Sequence, residues 1–133
     1  MATAVGITSE ERVYVRNVHA PHAVRRFVHA MLSEWGLRQL MDDMELVASE
    51  LATNAVQCAI GDTIAVRLER DAGAVCVKVW DDSPESPSMG APNDTDDERG
   101  RGLMITAAIS ERCGHYRVPS GKVVWAAMKE ADR

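Results

Sequence analysis

Apolar and polar residues change period several times along the 133 residues, and each change marks an element. Residues 1–11 hold no sustained period and read as a loose lead to a domain spanning 12–133. From 12 to 18 the chain alternates. Val13 and Val15 share one face, and Arg12, Tyr14 and Arg16 the other, which predicts a half-buried strand. Pro21 suits the first position of a helix. Val24, Phe27, Val28, Met31, Leu32 and Trp35 then follow at helical spacing up to Gly36, a natural stop. Asp42 and Asp43 favour a second helix start. Its apolar stripe is Leu46, Val47, Leu51, Ala55 and Val56, and it closes near Gly61-Asp62.

Alternation returns at 63–70, with Ile64, Val66 and Leu68 opposed to Ala65, Arg67 and Glu69. Asp71-Ala72-Gly73 reads as a hairpin turn into a strand carrying Val75, Val77 and Val79. From Asp82 to Arg99, Pro84, Pro87, Gly90 and Pro92 interrupt any regular period. A loop of this length inside a compact domain is usually functional or disordered. With the residues after it, it forms a candidate lid over about 82–102. A helix resumes at Leu103, and strands over 113–118 and 123–128 close the chain around Pro119-Ser120-Gly121. Strands joined by short turns, with helices grouped between them, predict an α+β two-layer sandwich. Its sheet is mixed and largely antiparallel, with helices on one face.

Composition sharpens this picture in three respects. Aromatic residues make up 5%, so Val, Leu, Ala and Met carry the packing. The formal net charge of -5 argues against direct nucleic-acid binding, which needs a surplus of Lys and Arg against phosphate. The three cysteines, Cys58, Cys76 and Cys113, form no Cys-x-x-Cys pair, so neither a zinc site nor a disulfide framework is suggested. A cytoplasmic setting is expected, with no signal pattern and no apolar run of membrane-spanning length. The four histidines have no metal-ligand spacing.

Three segments carry candidate chemistry. Glu50 and Asn54 stand i,i+4 on one helix face. Glu50 could accept a proton from an attacking hydroxyl, and the Asn54 carbonyl oxygen could ligate Mg²⁺ beside phosphate oxygens. Asp81 ends a strand, where an acceptor-only carboxylate could read the exocyclic amine of adenine. Gly100-Arg101-Gly102-Leu103 opens a helix, where side-chain-free backbone could approach phosphates and the helix end would favour them. Each segment also has an ordinary structural reading. These are a local hydrogen bond on a helix, a turn-forming Asp, and a flexible hinge.

Taken in order, the segments resemble the Bergerat-fold (GHKL) ATP-binding superfamily. The nearer resemblance is to RsbW-like anti-sigma-factor serine kinases of the small stand-alone actinobacterial type. It runs over about 12–128. The N-box pattern Glu-x-x-x-Asn-Ala is met by Glu50, Asn54 and Ala55, the adenine-reading Asp by Asp81, and the lid Gly-x-Gly-Leu by 100–103. Gly121-Lys122-Val123-Val124-Trp125 looks like the family's last strand. The resemblance implies Glu50 as general base and Asn54 as the Mg²⁺ ligand. It implies ATP held at Asp81, Gly100, Arg101, Gly102 and Leu103. It further implies a sigma factor held inactive, phosphorylation of Ser or Thr on an anti-sigma antagonist, and frequent homodimers.

Departures are local. Asp82-Ser83-Pro84-Glu85-Ser86 stands where the family has a glycine-rich box, Cys58 stands where a His is common, and the adenine-supporting Thr is missing around Lys122-Val123. A non-catalytic ATP-binding module that gates a partner surface is therefore the competing expectation. An α+β interaction domain without nucleotide is the third.

Overall fold

The structure, a computed structural model, describes residues 8–84 and 105–130. Its elements in chain order are strand β1 (Thr8–Val15), helix α1 (Ala20–Glu34), a 3₁₀ turn (Arg38–Leu40), helix α2 (Met41–Cys58), and strands β2 (Thr63–Asp71), β3 (Ala74–Asp81), β4 (Arg112–Val118) and β5 (Gly121–Lys129). Residues 105–109 are also helical. The five strands form one sheet ordered β1-β2-β3-β5-β4, antiparallel at every pairing. The expected α+β sandwich is therefore present, with an open antiparallel sheet. α1 packs on α2, and α2 lies chiefly over β3, with β2 and β5 beside it.

The core fills the space between these layers. α1 supplies Val24, Phe27, Val28, Met31 and Leu32, the apolar positions that its helical spacing marked. Pro21 sits in its first turn, and Gly36 takes a left-handed φ of 73° just beyond its end. α2 begins at Met41, so Asp42 and Asp43 lie in its first turn, where carboxylates complement the helix dipole. Its buried stripe is Met44, Val47, Ala48, Leu51, Ala52 and Ala55, while Leu46 and Val56 are only half-buried. The stripe is thus rotated from the expected one, toward Met44, Ala48 and Ala52.

β2 and β3 turn alternate residues inward as predicted: Ile64, Val66 and Leu68, then Val75, Val77 and Val79. The two-residue turn between them holds Ala72 and Gly73 at φ 53° and 80°, the positive pair that a tight hairpin requires. β5 contributes Val124, Ala126 and Met128 to the same core.

β1 corrects the sequence reading twice. It starts at Thr8, inside the stretch read as a loose lead, because Thr8 to Glu11 pair with Arg70 to Arg67 of β2. It also faces the other way. Val13 and Val15 are 65% and 66% exposed, whereas Tyr14 packs on the core. On this face Tyr14 and Arg16 are half-buried, while Arg12 stays exposed. The Arg12 guanidinium lies 5.0 Å from the Phe27 ring centroid. Arg16 donates from Nε to the Gly61 carbonyl (2.8 Å) and from Nη1 to the Val56 carbonyl (3.1 Å), tying up carbonyls at the end of α2.

Backbone comes close to Gly121, the first residue of β5. A Cβ there would run into the Asp81 carbonyl oxygen and come within 2.7 Å of the Asp82 Cα. Backbone atoms cannot yield as a side-chain end can. Gly121→Ala is therefore expected to destabilise the fold by about 2–4 kcal/mol, in the range of steric core lesions. Denaturant unfolding measures this, and a loss within ~0.5 kcal/mol would show that the approach relaxes.

Candidate functional site

The core-facing rows of β3 and β5 end in charge. Along β3 the row is Val75, Val77, Val79 and then Asp81; along β5 it is Met128, Ala126, Val124 and then Lys122. Asp81 and Lys122 are direct partners in the ladder. They are 0% and 1% exposed, with Lys122 Nζ 3.5 Å from Asp81 Oδ2. Asp81 Oδ1 accepts the Ser83 backbone N–H at 2.7 Å. Asp81 Oδ2 and Lys122 Nζ, by contrast, make no hydrogen bond with the described residues.

Buried polar atoms are nearly always bonded, so this pair is unusual. Asn54, 3% exposed on α2, has the same property at its Oδ1. Three of the four buried side-chain atoms left without a hydrogen bond among the described residues are thus Asn54 Oδ1, Asp81 Oδ2 and Lys122 Nζ.

A clamp places Asn54 and Asp81 at the same end of the fold. Asp82 follows Asp81, and its carboxylate accepts the N–H groups of Ile60 (2.8 Å) and Gly61 (2.9 Å), just past α2. Asn54 stands one turn before the end of that helix. A Cβ on Gly61 would come within 2.6 Å of Asp82 Oδ2, so the contact favours glycine. Ser83 is buried, and its carbonyl accepts Arg117 Nη1 at 2.9 Å, which fixes the start of the following loop. Glu50 sits one turn before Asn54 and is half-buried. Gly100, Arg101, Gly102 and Leu103, and the lid loop beyond Pro84, lie outside the described residues.

Sequence reasoning marked Glu50, Asn54 and Asp81. It did not mark Lys122, Asp82 or Gly61 as site residues. Lys122 had a legible signal, because it stands in step with the apolar positions Val124, Ala126 and Met128. Asp82 and Gly61 had none, because their role is a contact between distant segments.

A family model described as the histidine kinase-like ATPase domain matches residues 16–128. The chain belongs to that family. The matched span opens at Arg16, which caps α2, and runs through the core-facing row of β5. Among solved structures, the chain is similar to the crystal structure of the RsbU and RsbW domains of Rv1364c from Mycobacterium tuberculosis. The TM-score is 0.64 at 19% identity, over 92% of this chain and 32% of that one. The likeness is one of fold, an RsbW-like histidine kinase-like ATPase fold, and the chain spans about a third of that chain's length. No curated protein matches the sequence. No helix among the described residues is long and apolar enough to cross a membrane.

The two adjacent aspartates are shifted in opposite directions. Burial pushes the Asp81 carboxyl above the ordinary aspartate range, against the Ser83 N–H and the Lys122 ammonium. The N–H groups of Ile60 and then Gly61 hold Asp82 below that range. Asp82 therefore contributes stability above the unfolded aspartate pKa of about 3.9 and loses it as pH falls through its lowered folded value. The Asp81 contribution is complete in acid and declines as pH rises from about 3.9 through its raised folded value. Carboxyl-carbon NMR titration should place the Asp82 inflection below the ordinary value and the Asp81 inflection above it. An Asp81 inflection at or below that value would show that burial is not the dominant influence.

Proposed function

We propose that the protein is an ATP- and Mg²⁺-dependent regulator: an anti-sigma factor that is also a serine/threonine protein kinase acting on an anti-sigma antagonist. The observation that carries this reading is the buried Asp81 carboxylate at the end of β3, held at Oδ1 by Ser83 and without a hydrogen bond at Oδ2. A carboxylate kept dry and half-bonded suits a nucleobase amine. Membership of an ATPase-domain family supports the nucleotide. The solved RsbU and RsbW domains support a regulatory setting with protein partners. The proposed partners are a sigma factor, the antagonist and a second copy of the chain, in the cytoplasm.

Asn54 fits a cation ligand, since its buried Oδ1 is an acceptor without a donor. No cluster of three His, Cys, Asp or Glu occurs among the described residues. Mg²⁺ would thus be held by Asn54 with phosphate oxygens, a hard-oxygen shell that typically keeps several waters. It would neutralise charge developing on the phosphates.

Glu50 takes the proton from a serine or threonine hydroxyl of the antagonist. As it does so, the hydroxyl oxygen bonds to the γ-phosphorus, and the bond to the β–γ bridging oxygen breaks, releasing ADP. Gly100, Arg101, Gly102 and Leu103 are proposed to hold the phosphates through backbone N–H groups and the Arg101 charge.

A non-catalytic ATP-binding module is the second reading, favoured by the pinned segment after Asp81. Asp82 is clamped to Ile60 and Gly61, and Ser83 is buried and bonded. The family resemblance leads one to expect flexible glycines there.

Calorimetric titration should show ATP with Mg²⁺ binding while GTP does not, with binding lost in folded Asp81→Asn. No ATP binding by wild type would refute the nucleotide site. Glu50→Ala should then retain ATP binding while transfer of labelled phosphate to the antagonist falls at least ~100-fold, the scale of lost general-base catalysis. Transfer within ~3-fold of wild type would remove Glu50 from the base role, and no transfer by wild type would favour the binding module.

A further inference from the structure

Lys122 is fully buried, an unusual place for a lysine. Its three ammonium donors lie buried in a core-facing row, 3.5 Å from Asp81 Oδ2 and without a hydrogen bond among the described residues. A buried acceptor and a buried donor, ion-paired but each with hydrogen-bonding capacity unused, stand side by side, one on each of two paired strands. Backbone holds both in place. Ser83 fixes the other oxygen of Asp81, and Gly121 brings β5 against the Asp81 carbonyl.

Acceptor beside donor is the complement of one edge of adenine, where the exocyclic N6 amine donates and the neighbouring ring N1 accepts. We propose that Lys122 is a second base-reading residue, whose ammonium donates to adenine N1 while Asp81 Oδ2 accepts from N6. This rests on the reading of Asp81 as the adenine contact. In the same pose, guanine presents its O6 acceptor to Asp81 and its N1–H donor to Lys122, so like faces like at both positions. Lys122 therefore adds a second point of discrimination beside Asp81. Binding also supplies hydrogen bonds to two buried, ion-paired atoms that otherwise make none among the described residues, which concentrates the gain on the correct base.

The test compares ATP with 1-deaza-ATP, in which N1 is replaced by C–H, by calorimetry on wild type and Lys122→Met. Wild type should bind 1-deaza-ATP about tenfold or more weakly than ATP, the scale of a lost hydrogen bond to a charged group. In Lys122→Met that difference should collapse to within about twofold, because ATP weakens while 1-deaza-ATP does not. A variant that weakens both nucleotides equally would show that Lys122 acts only on the fold, overturning the proposal. If Lys122→Met does not fold, Lys122→Thr serves the same cycle. If neither folds, equal wild-type affinity for the two nucleotides overturns the proposal and a tenfold gap supports it. The underlying reading fails separately, and takes the proposal with it, if wild type binds no ATP or if Asp81→Asn leaves ATP affinity unchanged.

Discussion

A buried ion pair at the ends of two apolar rows constrains the rest of this molecule. Removing Asp81 and Lys122 from water costs on the order of several kcal/mol per ion, and a 3.5 Å separation without a hydrogen bond returns only part of it. The apolar surface packed between the sheet and its helices must offset the remainder. Moving β5 by one residue would turn Lys122 to the open face and bring Val123 inward, stranding Asp81. The register of the two central strands and the electrostatics of the site are therefore one specification.

Around that pair, polar groups act as fasteners between elements. Arg16 ties the end of α2 to β1, Asp82 ties the residues after α2 to the end of β3, and Arg117 ties Ser83 to β4. None of these contacts adds much apolar burial. Each satisfies backbone groups at element ends, where helices and strands run out of their own partners. The opposite shifts of Asp81 and Asp82 follow from this arrangement. One carboxylate is surrounded by packing and the other by donors.

Periodicity was most legible where side chains are plainly apolar. The stripe from Val24 to Leu32 and the inward rows of β2 and β3 stand where the pattern puts them. It misled at β1, where two exposed valines looked like the buried face while Tyr14 packs on the core, Arg12 lies over the Phe27 ring and Arg16 caps α2. Alternation identifies two faces but not which one meets the helices, and amphipathic side chains can serve either. At the site, Glu50, Asn54 and Asp81 could be picked out because their residue types suit an ordered set of roles. Lys122 was not marked as a site residue, although lysine is rarely buried and its place in step with Val124, Ala126 and Met128 puts it in the inward row. The Asp82 clamp was beyond sequence reading, since only the folded chain brings Gly61 beside Asp82.

Strand order has a consequence for synthesis. β5 follows β4 in the chain but lies inside it in the sheet, between β3 and β4. On a ribosome, β1, β2 and β3 can assemble with both helices while one long edge of β3 stays open and Asp81 lacks its counter-ion. Unpaired strand edges of this kind are where nascent chains misassociate. The gap closes only once the last strand emerges and slots into the middle of the sheet. Completion of the buried Asp81–Lys122 pair is thus coupled to emergence of β5, so a chain interrupted before Gly121 would carry most of its core and an uncompensated carboxylate at one end of it.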